Sequence, residues 1–218
     1  MSNLSQRFHA VDTRALTDTI EAVIGAQGVG FQTKYLPRRN GQAAWLQYTL
    51  DADQRIFGDQ IKPRVLLKNA NNGTSALHLA VGFLRLVCSN GMMAGQSVYR
   101  DRVVHIKGPR MDDFLENVAD RVAAALEFSL SGQMGIQLEA QLARPVASVI
   151  PIVERLELSR SAEEAVISAW QLRRPEDTAT LWGFWNVLNE TLRRRGRSEW
   201  ADAERNFTML DRVLEAAA

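Results

Sequence analysis

Val29–Leu50 reads VGFQTKYLPRRNGQAAWLQYTL, and here the chain changes from helical to strand periodicity. In residues 42–50 the apolar side chains Ala44, Leu46, Tyr48 and Leu50 alternate, which is the pattern of a strand with one buried face. Residues 29–36 are also rich in β-formers. Between the two runs lies Pro37-Arg38-Arg39-Asn40-Gly41. Asn-Gly is a strong hairpin signal because both residues tolerate positive φ. The expectation is a β-hairpin whose tip carries Arg38 and Arg39.

Upstream, Leu16, Ile20, Val23 and Ile24 recur at helical spacing behind Thr13, read as the N-cap, and Gly25 or Gly28 ends the helix. Downstream, Val65, Leu66 and Leu67 begin a third strand, broken by the polar turn Asn69-Ala70-Asn71-Asn72-Gly73-Thr74. Residues 75–88 read as one long strand or two with a kink at Gly82, with a helix as the competing reading. Val103, Val104 and Ile106 form a last strand closed by Gly108-Pro109.

From Met111 the pattern is helical, with a stripe of Phe114, Leu115, Val118, Val122, Ala125 and Leu126 ending before Gly132. Pro145 and Pro151 interrupt helices in residues 133–158. Ser161 with Glu164 reads as a capping box, and Pro175 ends that helix. Asp177 or Thr178 caps a helix bearing Leu181, Trp182, Phe184, Trp185, Leu188 and Leu192. Gly196 closes it, and Ser198 starts a final helix with Trp200, Phe207, Leu210 and Leu214. The fold class is α+β: an N-terminal helix, a basic antiparallel sheet with a hairpin, then a helical C-terminal half. The expected division is a basic α+β domain over 1–110 and a helical domain over 111–218. The second packs on the first or serves oligomerisation.

Charge follows the same division. Residues 28–110 hold twelve lysines and arginines against four aspartates and no glutamate, in a chain whose total is +1. Such asymmetry points to a polyanionic partner for the basic half. No apolar run approaches the roughly 18–20 residues that span a bilayer, so no membrane role is expected. The opening MSNLSQRFHA lacks the layout of a secretory signal, and the single Cys88 suits a reducing interior. The expectation is a protein of the bacterial cytoplasm.

Guanidinium forks match phosphate oxygens, so Arg38 and Arg39 are candidate nucleic-acid contacts, with Lys34, Lys68, Arg85 and Lys107 beside them. Solubility or edge protection is the plainer explanation of the arginine hairpin. Arg193-Arg194-Arg195 with Arg197 reads more simply as charge complementing a helix dipole. Trp45, Tyr35 and Tyr48 are candidates for base stacking among basic residues, against packing under the sheet. Trp170, Trp182, Trp185 and Trp200 sit at helical positions and read as core or interface.

Asn71, Asn72 and Asn90 lie in polar turns whose backbone N–H groups can hold phosphates, or which serve turn geometry alone. No G-x-x-x-x-G-K-[ST] occurs. His78, Cys88 and His105 are metal ligands by type but fit no zinc spacing. Asp51 and Asp53 are the D-x-D pair of the basic half, read as solvating a polar connection. No catalytic residue, metal or cofactor is assigned.

Leu66–Gly91, LLKNANNGTSALHLAVGFLRLVCSNG, resembles the core of a phage- and plasmid-borne family of unknown function, the phage/plasmid-like proteins. The resemblance rests on Asn69, Gly73, Thr74, Ser75, Ala76 and Leu77, then Arg85 through Gly91. Thr180–Glu190 is similar to that family's tryptophan- and asparagine-bearing helix. Where members carry an aspartate in the turn, this chain has Asn72. The resemblance implies a mobile-element setting and no established activity.

The expected function is a nucleic-acid-binding protein, with single-stranded DNA favoured, acting in binding or annealing during recombination and assembling as a homo-oligomer. The alternative is an anti-defence protein whose acidic helical half engages a host complex. The third reading is a metal-dependent enzyme on nucleic acid built on His78, His105 and the aspartates.

Overall fold

The computed structural model describes residues 6–38, 43–85, 97–173, 180–192, 209–210 and 212–218. The fold is α+β. In chain order the elements are α1 (Thr13–Ala26), β1 (Phe31–Arg38), β2 (Ala43–Leu50), β3 (Gln54–Ile56), β4 (Asp59–Ala70), β5 (Leu77–Arg85) and β6 (Ser97–Val103). The helices α2 (Pro109–Leu130), α3 (Gln133–Leu142), α4 (Ile150–Arg155), α5 (Arg160–Gln171) and α6 (Leu181–Leu192) come next. Residues 212–216 are again helical. The strands form one sheet in the order β1-β2-β4-β5-β6, with β3 paired to β4.

The chain forms two compact units. The first comprises Met1–Asp53, Lys62–Phe83 and Ser97–Gly132. Its sheet carries alternating apolar residues on one face: Ala44, Leu46, Tyr48 and Leu50 from β2, Val65 and Leu67 from β4, Leu77, Leu79 and Val81 from β5. Leu16, Ile20 and Ile24 of α1 and the α2 stripe from Met111 to Leu126 cover that face and complete one core. Alternation in the strands and the 3.6 period in the helices thus meet in a two-layer packing. The stripe matches its sequence pattern, except that Leu115 stays exposed.

The second unit comprises Gln54–Ile61, Leu84–Gln96 and Gln133–Ala218. Its β3–β4 hairpin turns at Phe57 (φ 49°) and Gly58 (φ 83°), a two-residue turn between the paired Ile56 and Asp59. Positive φ at both central positions matches the right-handed twist of a hairpin. Phe57 packs against Trp182 of α6, ring centroids 5.3 Å apart. Trp170 of α5 meets Phe184 edge-on at 5.7 Å, and Trp185 is fully buried. Residues Pro145 and Thr180 bridge. Arg155 Nη1 donates to Ala216 O at 2.8 Å, tying the final helical stretch to α4.

Several sequence expectations are corrected. The cap of α1 is Asp12, whose Oδ1 accepts from Arg14 N at 2.9 Å, while Thr13 is the first helical residue. Pairing of β1 with β2 continues to Arg38 opposite Ala43, so Arg38 belongs to the strand and not to the hairpin tip. The third strand starts at Asp59 instead of Val65, because the Phe57-Gly58 turn pairs its beginning with β3. Residues 77–85 are a strand, with the register shift at Val81/Gly82 where the kink was expected. The last strand is Ser97–Val103; residues 104–107 leave the sheet. Ser159, not Ser161, precedes α5, and Glu164 pairs with Arg160 at 3.0 Å. Pro151 opens α4 instead of interrupting a helix, since the first turn needs no N–H there. Pro175, Asp177, Thr178, Gly196, Ser198, Trp200, Phe207 and the arginines at 193–195 and 197 lie outside the described residues. No helix among the described residues is long and apolar enough to cross a membrane.

Candidate nucleic-acid interface

Residues directly opposite in an antiparallel pair share a face, so the register fixes what lies behind the core. Lys34 stands opposite Gln47, Leu36 opposite Trp45 and Trp45 opposite Lys68. Thr49 stands opposite Arg64, His78 opposite Arg102 and Ala80 opposite Arg100. The face away from α1 and α2 therefore carries Lys34, Trp45, Arg64, Lys68, His78, Arg100 and Arg102. Lys34, Arg100 and Arg102 are exposed, and Trp45, Lys68 and His78 are half-buried. Arg64 is only 5% exposed, and Gln47 and Leu66 are buried with it. The ammonium of Lys68 lies 5.3 Å from the Trp45 ring centroid, within cation–π range.

Strand β6 sorts charge by its pleat. Arg100 and Arg102 point to the outer face. Asp101 stands opposite core-facing Leu79 and points the other way. There its carboxylate accepts from Arg110 Nη2 at 2.6 Å, from Arg121 Nη1 at 3.5 Å and from the Tyr99 hydroxyl at 3.3 Å. Arg121 also donates from Nη2 to Asp113 at 2.7 Å. That hydrogen bond holds the Asp113 carboxyl below its usual range and raises Arg121 in turn. Burial raises the Tyr99 phenol. The one carboxylate of the Arg-Asp-Arg run is thus engaged by α2, on the side away from both arginines.

Residues 104–107 continue past β6 beside the arm that precedes α1. Lys107 N donates to Arg7 O at 2.9 Å, His9 N donates to His105 O at 3.1 Å, and Phe8 bridges Ile106. His105 is 4% exposed, and its ring stacks on Phe8 with centroids 5.3 Å apart. Its Nδ1 lies 2.9 Å from His9 O. A carbonyl only accepts, so Nδ1 carries the proton. Among the described residues the buried Nε2 has no partner, and burial pushes the imidazole pKa down. Further along the arm, Asn71 Oδ1 accepts from Val11 N at 3.0 Å and Asn71 Nδ2 donates to Val11 O at 2.7 Å. Asn69 Nδ2 donates to the same carbonyl at 3.0 Å and to Thr13 Oγ1 at 2.8 Å.

The sequence candidates fall into three groups. Lys34, Trp45 and Lys68 share the outer face, and Lys107 is exposed beside Arg7. The Asn71 amide is engaged by Val11, and Asn72 Oδ1 accepts from Thr74 N at 3.1 Å and Thr74 Oγ1 at 2.6 Å, closing its own turn. Arg39, Asn90 and the side chains of Arg38 and Arg85 lie outside the described residues. Asp51 and Asp53 both lie near Lys62, at 3.3 and 3.9 Å. Among the described residues no three His, Cys, Asp or Glu side chains gather as a metal site; Cys88 lies outside them. Arg7, Arg100 and Arg102 were not singled out from the sequence. The Arg-Asp-Arg alternation was the available signal, but it has meaning only once residues 97–103 are known to be a strand.

The chain is similar to two proteins of Escherichia coli (strain K12), the UPF0380 proteins YfjQ and YafZ, at 29% and 28% identity over 112 residues. That stretch is 51% of this chain and 40% of each relative's length. No solved structure matches it. Residues 1–214 match the domain of unknown function DUF932. A match over nearly the whole chain, together with these uncharacterised relatives, places this protein in the DUF932 family.

Proposed function

We propose that this chain is a nucleic-acid-binding protein of mobile elements that holds single-stranded DNA through its phosphates, in binding or annealing during recombination. The observation that carries the reading is the charge sorting of β6, with Arg100 and Arg102 on the outer face and Asp101 withdrawn to Arg110 and Arg121. Arg100 and Arg102 are both exposed on that face, and guanidinium groups match the oxygens of a phosphate backbone. Such contacts position a strand without reading its sequence. Lys34, Lys68 and Lys107 extend the positive surface, and Arg38, Arg39, Arg85 and Asn90 are held as further contacts. The indole of Trp45, with Lys68 over its ring, offers a face on which a base stacks. Asn71 and Asn72 act indirectly, by shaping the turn next to the arm.

Fluorescence anisotropy with a labelled single-stranded 20-mer tests this. Sequence-independent binding is expected at 50 mM salt, with a dissociation constant on the order of 10⁻⁶ M or tighter and weakening as salt rises. No change in anisotropy at low salt and 100 µM protein would overturn it.

A further inference from the structure

Resting on the nucleic-acid reading, we infer that the arm before α1 is a detachable part of the phosphate site, and that His105 is the positioning residue that keeps Arg7 beside Lys107. The arm runs antiparallel to residues 105–107: Arg7 O accepts from Lys107 N, and Phe8 bridges Ile106. His9 N and O both bond to His105. Arg7 and Lys107 are both exposed, so the docked arm sets two cations side by side at the end of β6, beyond Arg102. The ligand this suits is a phosphodiester backbone crossing the strand end.

The docking depends on one protonation state. With its single proton on Nδ1, His105 donates to His9 O, and among the described residues the buried Nε2 has no hydrogen-bond partner. A second proton would give the buried ring a charge and a second N–H for which no described residue is an acceptor. On the arm His9 bonds to it, with Arg7 two residues before, and Lys107 lies two residues on along its own segment. Of these, His9 is the one that acts on its titration, and it opposes a positive charge. Among the described residues no carboxylate offsets it. Acidification therefore expels the ring, frees the arm and withdraws Arg7. The direction is opposite to the general effect of acid, which adds positive charge to a protein and would tighten DNA binding.

The full chain is studied at pH 7.5 and 5.0 by hydrogen exchange of residues 6–12, referenced to an unstructured peptide at each pH, and by binding of a single-stranded 20-mer. The expected result is a loss of arm protection of tenfold or more at pH 5.0 while α2 stays protected. The slope of log K against log salt should fall by about 0.7, one phosphate contact on a single strand. His105→Gln keeps a donor for His9 O but cannot take the proton, so its arm should stay protected at pH 5.0. An arm that remains protected in the wild-type chain at pH 5.0, or that opens equally in His105→Gln, overturns the inference whatever the DNA result. Arm opening with no DNA binding at either pH overturns the nucleic-acid reading, and the phosphate role of Arg7 with it.

Discussion

Arg110 Nη2 donates to Asp101 Oδ1 at 2.6 Å, on the side of β6 away from Arg100 and Arg102. Arg121, the Tyr99 hydroxyl and the backbone N–H of Arg102 complete the donors to this carboxylate. Asp101→Asn should therefore have two effects of opposite sign. It weakens a charge-assisted network, at a cost of about 1 kcal/mol since Arg110 is largely exposed and Arg121 keeps Asp113. It also removes a negative charge near the outer arginines. A unit charge 8 Å away in water is worth about 0.5 kcal/mol, so DNA binding should tighten roughly twofold. Urea denaturation and an anisotropy titration on the same variant check both.

Asn71 acts on the arm as both donor and acceptor. Asn71→Ala leaves the N–H of buried Val11 without its side-chain acceptor and should cost about 2–3 kcal/mol. Asn71→Asp keeps the acceptor but sets a carboxylate against Val11 O, so it should not restore stability. Thermal melts of the two variants, with Asn72→Ala as a milder comparison, test this. Equal stability of Asn71→Asp and the wild type would show that the donor half is dispensable.

The buried His105 has a linkage consequence separate from DNA. Its folded-state pKa is depressed, so the unfolded chain takes up the proton first. Its contribution to stability is complete above the unfolded value of about 6.5 and is lost as pH falls from there toward the folded pKa. The slope for one proton reaches at most about 1.4 kcal/mol per pH unit. His105→Gln should flatten the denaturation midpoint over pH 7 to 5 relative to the wild type. An unchanged slope would mean that other groups dominate.

Phe57 holds a positive φ that favours glycine or asparagine, and its ring rests on Trp182. Phe57→Ala keeps the backbone cost and loses the aromatic contact, whereas Phe57→Asn loses the contact but tolerates the turn. Phe57→Ala should be the less stable by about 0.5–1 kcal/mol. Chemical denaturation of the pair checks the order.

These residues also show what the sequence could and could not disclose. The β1–β2 hairpin was legible because β2 is apolar at every second position. The β3–β4 hairpin was hidden because phenylalanine gives no turn signal, and Pro63 speaks against a strand. Strand β6 was misplaced toward Val103, Val104 and Ile106 because its true span, SVYRDRV, is mostly polar. Its one core-facing carboxylate is satisfied by α2, a long-range contact that no local pattern records. For the same reason the charge-sorted edge was not legible, although the basic surplus of the region was. Asn69 and Asn71 carry only a turn signal in the sequence; their grip on Val11, some sixty residues away, is equally non-local.

The most direct test of the central claim is the salt dependence of single-stranded DNA binding for the wild type and for the double variant Arg100→Ser/Arg102→Ser. The expected result is a linear fall of log K with log salt in the wild type, and a slope smaller by about 1.4 in the variant, two phosphate contacts on a single strand. Absence of binding at 50 mM salt, or an unchanged slope in the variant, would contradict the assignment of β6 as a phosphate-binding edge.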